Sequence, residues 1–103
     1  MAGQPNAALP DGLNIGGYRI VKKIAAGGFS IVYLAEDAQG MNVAIKEYLP
    51  ASLASRKPGQ LQPVVTNGQL ELYRVGLKYF LDEGRALASI SHPNVVRVLN
   101  FFH

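Results

Sequence analysis

Only one stretch of this chain has the pattern of a long helix. From about Glu71 to Ser89, the residues Tyr73, Gly76, Phe80, Glu83, Leu87 and Ile90 recur at spacings of three and four, which puts them on one helical face. Gly76 and Gly84 each weaken such a helix by roughly 1 kcal/mol relative to Ala, so its first turns are expected to fray. His92-Pro93-Asn94 closes it, because the residue before a proline disfavours helix. The rest of the patterned chain alternates with the period of a strand, so the expected class is α+β: a twisted antiparallel sheet with one long helix packed on it.

The strands come before and after that helix. Tyr18, Ile20 and Ile24 share one parity and Arg19, Val21 and Lys23 the other, as in a half-buried strand. Ala25-Ala26-Gly27-Gly28 turns the chain into a second β-type run, Phe29 to Ala35, rich in Phe, Ile, Val and Tyr. Asp37-Ala38-Gln39-Gly40 turns it again into Asn42 to Tyr48, and Pro50 ends that third strand. Short turns between the three favour an antiparallel meander. Ala51 to Arg56 reads as a short helical turn and Leu61 to Thr66 as a small hairpin, and Val95 to Phe102 is a final apolar strand.

Composition narrows the function classes. With 103 residues, 49% apolar and 17% charged, the chain has the make-up of one globular domain. Its net charge of +3 arises from 10 basic and 7 acidic residues with no basic run, so no nucleic-acid partner is expected. The absence of cysteine excludes disulfides, thiolate chemistry and Cys-based metal sites. Residues 1–16 read as a flexible leader, with neither the basic n-region nor the apolar h-region of a signal peptide. No apolar run is long enough to cross a bilayer, and a cytoplasmic location is expected.

Three features bear on chemistry. Small residues at Ala25-Ala26-Gly27-Gly28-Phe29-Ser30 would let backbone N–H groups approach phosphate oxygens, but taken alone they fit a plain hairpin turn better. A dinucleotide-type loop is set aside, since that loop opens into a helix whereas Phe29 to Leu34 alternates as a strand. In Val43-Ala44-Ile45-Lys46, period-2 geometry puts Ala44 and Lys46 on one face, with room for something flat beside a point charge. That lysine either snorkels to water or meets an anion. Glu83, on the helix face that carries Phe80 and Leu87, is either a boundary residue or the counter-charge of a buried cation.

Taken in order, Gly27-Gly28-Phe29-Ser30-Ile31-Val32-Tyr33, then Val43-Ala44-Ile45-Lys46, then Glu83 with Leu87 and His92-Pro93-Asn94-Val95-Val96, resemble the N-terminal lobe of a protein kinase, most closely the eukaryotic-like Ser/Thr kinases of bacteria. The resemblance runs from about Tyr18 to the end, with residues 17–103 as the N-lobe. It implies that Ala25, Ala26, Gly27, Gly28, Phe29 and Ser30 form the glycine-rich loop over the phosphates of ATP. Lys46 would hold the α- and β-phosphates, Glu83 would orient Lys46, and Ile24, Val32 and Ala44 would roof the adenine. Leu87 and Val98 match positions of the hydrophobic column that links the two lobes.

The departures from the family pattern carry expectations of their own. Ala25 and Ser30 stand where the family has glycine, and each adds a Cβ where close backbone approach is wanted. Lys46 and Glu83 are unusually far apart, which marks residues 50–70 as an insertion, either a regulatory or docking feature or a neutral surface excursion. The H-R-D, D-F-G and A-P-E motifs are absent from the 103 residues, so the catalytic base and the Mg²⁺ ligands are expected in a C-lobe outside them. The parent would transfer the γ-phosphate of Mg-ATP to a protein substrate, and the 103 residues alone are expected to be inactive. They are also expected to self-associate through the 95–102 strand edge. The rival reading is a pseudokinase-like, non-catalytic regulatory module.

Overall fold

The computed structural model of the protein describes residues 4–83 and 95–98. Strands β1 (Asn14–Ile15), β2 (Tyr18–Ala26), β3 (Ser30–Glu36) and β4 (Asn42–Tyr48) are followed by two short strands, β5 (Ala54–Ser55) and β6 (Val64–Val65). Helix α1 (Leu70–Glu83) and strand β7 (Val95–Val98) complete the order. The main sheet runs β1-β2-β3-β4-β7, every neighbouring pair antiparallel, while β5 and β6 pair separately. This is the α+β arrangement expected, with β4 falling on the residues anticipated for it.

Local chemistry explains the turns. Gly16 and Gly17, with φ of 53° and 88°, are the two central residues of the β1–β2 hairpin, where positive φ matches the strand twist. Between β3 and β4, the Asp37 carboxylate oxygen Oδ1 accepts the N–H groups of Gln39 and Met41, each at 2.9 Å. β2 carries two irregularities, at Val21 and at Ile24, so its side chains do not keep the simple alternation that the sequence suggests.

The sheet has two unlike faces. Ile31, Tyr33 and Ala35 of β3 lie opposite Glu47, Ile45 and Val43 of β4, and all six side chains are buried. On the reverse face Val32 lies opposite Lys46, Leu34 opposite Ala44 and Ser30 opposite Tyr48. Helix α1 meets the sheet at this reverse face, through Tyr48. The Tyr48 ring is 5.1 Å from Tyr73 and 5.4 Å from Phe80, both tilted, and its hydroxyl donates to the Tyr73 carbonyl at 2.9 Å. Gly76 is what admits Tyr48: a Cβ there would overlap the hydroxyl and come within 3.2 Å of ring carbon Cζ. The cost of glycine within the helix is thus matched by an aromatic contact, and α1 is regular from Leu70 rather than frayed.

Two expectations need correction. The leader is not free: from Gln4 onward it packs on the first face, Leu9 is buried, and Asn14–Ile15 add a strand. Leu9 can bury because the adjacent polar groups find partners, its own N–H donating to the Tyr33 hydroxyl at 3.0 Å. The segment before α1 is no neutral excursion either. The Pro50 carbonyl accepts from the Leu53 and Ala54 N–H groups, each at 2.9 Å, so a single helical turn forms. Ala54 and Ser55 then leave it as a strand that pairs with Val65 and Val64, in place of a self-contained hairpin over 61–66. Residues 84–89 of the expected helix, the His92-Pro93-Asn94 turn and residues 99–102 of the last strand lie outside the described residues.

Candidate functional site

Because Ala44, Lys46 and Tyr48 alternate with Val43, Ile45 and Glu47, strand β4 presents Lys46 and Tyr48 together, on the side where α1 lies. A cleft of about 450 Å³ opens there. The β2–β3 turn borders it with Gly27, Gly28, Phe29 and Ser30, and β4 contributes Lys46 and Tyr48. Pro50 and Leu53 form its floor beyond the strand, and Gly76, Tyr79 and Phe80 of α1 close the far wall. Its volume falls in the range of small-molecule sites, and its walls past Lys46 are mostly apolar.

The turn is held in a definite shape. The Gly27 N–H donates to the Ser30 carbonyl at 2.9 Å, and all three carbonyls at its head are engaged. Gly27 accepts from the Gln4 side-chain amide at 3.1 Å, Gly28 from the Ala51 N–H at 2.9 Å and Phe29 from the Leu49 N–H at 2.7 Å. Among the described residues, the N–H groups of Gly28 and Phe29 donate to no other backbone group. The Phe29 side chain stands 73% exposed at the tip.

Of the residues anticipated from sequence, Gly27, Gly28, Phe29, Ser30 and Lys46 converge on the cleft. Val32, half-buried, lies directly across from Lys46, and Ala44, fully buried, precedes it by two on the same face. Ile24 sits in the β2 irregularity, while Ala25 and Ala26 are exposed opposite Val32 and Ile31. These five residues lie beside the cleft rather than lining it. Glu83 is the last residue of α1, and its side chain lies outside those described, as do Leu87 and the Val98 side chain. Among the described residues no carboxylate forms an ion pair with Lys46. Tyr48, Pro50, Leu53 and Tyr79 were not anticipated. Tyr48 was legible in principle, since it has the parity of Lys46. Burial raises its phenol pKa, and neighbouring Tyr73 adds to the rise.

The larger surprise lies on the opposite face, one residue along the strand. The Glu47 and Arg56 side chains are both fully buried and paired in a fork, at 2.6 Å and 2.8 Å. All five guanidinium N–H groups have acceptors. Nε donates to the Ala7 carbonyl at 2.9 Å, and the terminal nitrogens donate to both Glu47 oxygens, the Leu61 carbonyl at 3.2 Å and the Tyr33 hydroxyl at 3.4 Å. The Tyr33 hydroxyl in turn donates to Glu47 at 2.8 Å. Burial, then the Glu47 carboxylate, pushes the Tyr33 phenol well above its ordinary range. Burial alone would lower the Arg56 pKa, but hydrogen bonding and charge from Glu47 outweigh it and the net shift is upward.

No protein-family profile matches the chain. Among solved structures, that of "PpkA-294 apo form", a bacterial Ser/Thr kinase fragment, matches with a TM-score of 0.74 and 33% sequence identity over 87% of this chain. The fold is that of a protein kinase N-lobe. The N-lobe described here spans 37% of the length of that solved chain. In the N-lobe, α1 occupies the place of the long helix anticipated from Glu71 onward, and β4 carries Lys46 into the cleft under the glycine turn. Among the described residues no helix is long and apolar enough to cross a membrane, and no three His, Asp or Glu side chains cluster as metal ligands.

Proposed function

We propose that this N-lobe binds ATP for a cytoplasmic Ser/Thr protein kinase, whose larger parent transfers the γ-phosphate to hydroxyl groups of a protein substrate. One observation carries the reading: Lys46 lines the same cleft as Gly27, Gly28, Phe29 and Ser30. A lysine ammonium is a compact, mobile charge suited to phosphate, and backbone N–H groups in a small-residue turn suit phosphate oxygens. The N–H groups of Gly28 and Phe29, uncommitted to the described backbone, would serve as those donors. Val32 and Ala44, beside Lys46 on its face, would roof the adenine with Ile24. Glu83 would hold Lys46 in place as its counter-charge. ATP brings Mg²⁺ with it, and the metal would neutralise phosphate charge; its protein ligands would come from the parent's larger lobe.

The test is calorimetric titration of the chain with ATP and, separately, with adenosine. Lys46→Met is expected to weaken ATP binding about tenfold or more, the loss of a charge-assisted contact of about 1.5–3 kcal/mol, and to leave adenosine binding unchanged. ATP binding that survives Lys46→Met would remove the lysine from its assigned role. The rival reading, a non-catalytic interaction module, draws support from the apolar strip Leu72, Val75 and Tyr79, which α1 leaves exposed at 60%, 50% and 67%. No ATP binding by the unaltered chain would favour that module.

A further inference from the structure

We infer that the N-terminal segment, residues 4–9, is a brace that sets the glycine turn over Lys46, with Gln4 as its positioning residue; the consequence for ATP rests on the nucleotide reading above. The Gln4 side-chain amide reaches two carbonyls on either side of the turn's base, Gly27 at 3.1 Å and Leu49 at 2.6 Å. Those carbonyls belong to segments that flank the cleft, so one side chain fixes the distance between them.

Gln4 can do this only because the segment behind it is anchored. The Asn6 amide donates to the Ala54 carbonyl at 3.0 Å and to the Gln4 side-chain oxygen at 2.9 Å, which orients the Gln4 amide. Asn6 also accepts the Arg56 N–H at 3.0 Å, and Ala7 and Arg56 exchange backbone and side-chain bonds at 3.1 Å and 2.9 Å. Arg56 is locked to Glu47, the residue after Lys46. A continuous chain of hydrogen bonds therefore leads from the strand that carries Lys46, through the leader, to the carbonyl of Gly27. A turn rich in small residues has large conformational freedom of its own, and ligand affinity falls by whatever fraction of that freedom must be lost on binding. The brace removes that freedom in advance.

The test uses the whole chain and two variants, Gln4→Ala and the isosteric Gln4→Glu, which keeps the shape but replaces the donating amide by an acceptor facing two carbonyls. Amide hydrogen exchange at Gly27, whose N–H closes the turn onto Ser30, is expected to quicken about fivefold in Gln4→Ala and more in Gln4→Glu. The dissociation constant for ATP is expected to rise about fivefold, and that for adenosine to stay unchanged. Unaltered exchange at Gly27 in both variants overturns the brace. An equal loss for ATP and adenosine overturns positioning of the phosphate turn, since general loosening would produce it. Should the unaltered chain bind no ATP, the nucleotide reading fails, and the exchange rates alone decide the brace.

Discussion

Lys46 and Glu47 are neighbours on one strand, yet one faces a cleft and the other a buried ion pair. Glu47 faces a layer made by the leader and the segment after β4, where every donor of Arg56 is used and no water is needed. Lys46 faces an open cleft. Strand alternation alone produces the contrast, sending one charge to a closed network and the next to a ligand-sized space. A closed network holds a strand in place; a cleft gives a cation room to meet other groups. The sheet thus separates the network that stabilises from the face proposed to bind ATP.

The sharpest way to break this contrast is to open the closed side. Arg56→Met strands a buried carboxylate and is expected to lower stability by about 3–5 kcal/mol in urea unfolding. The double variant Glu47→Leu with Arg56→Met should recover most of that loss, because an apolar pair leaves no buried charge unpaired. Failure of the double variant to recover would mean that the Ala7 and Leu61 contacts of Arg56 matter more than its charge.

On the cleft side, Gly76→Ala tests how tightly α1 sits on β4. Helix propensity alone favours Ala by about 1 kcal/mol. The overlap with Tyr48 is expected to outweigh that gain and to give a net loss of about 1–2 kcal/mol in thermal unfolding. A stabilised variant would show that the helix can slide away from Tyr48 at little cost.

The smallest expected effect is a pH slope. The Tyr33 phenol is raised above its ordinary value of 10.0, so folding favours its protonated form. That contribution is complete below pH 10.0 and is lost as pH climbs above it toward the folded-state value. Tyr33→Phe is expected to cost about 1 kcal/mol at neutral pH through the lost hydrogen bond to Glu47, and to flatten the decline in stability above pH 10. Tyr48, raised in the same direction by burial, leaves part of the slope in place. An unchanged alkaline slope in Tyr33→Phe would assign the whole effect to other groups.

What was legible in the sequence follows the range of the interactions. The bounds of β4 and the turn-strand-lysine order could be read because period-2 alternation and turn chemistry are local. The face of α1 could be read from Tyr73, Gly76 and Phe80, although the reason for Gly76 could not, since it is a tyrosine 28 positions back, 76 minus 48. The Glu47–Arg56 pair was missed for a physical reason. A glutamate in a strand and an arginine in a Gly- and Pro-rich segment each look solvated, and only their meeting makes either buriable. The leader was misread likewise: Pro5, Pro10 and its Gly and Asn residues fit a free coil, while its order comes from Arg56 and Leu49.

That arrangement has a consequence for the time course of folding. Residues 4–7 are synthesised well before the partners that hold them: Gln4 binds a carbonyl 45 residues further on, and Arg56 lies 49 residues beyond Ala7. Neither partner exists while β2 and β3 are being made, so the bonds that tie residues 4–7 to the strand carrying Lys46 can close only after the chain has passed Arg56.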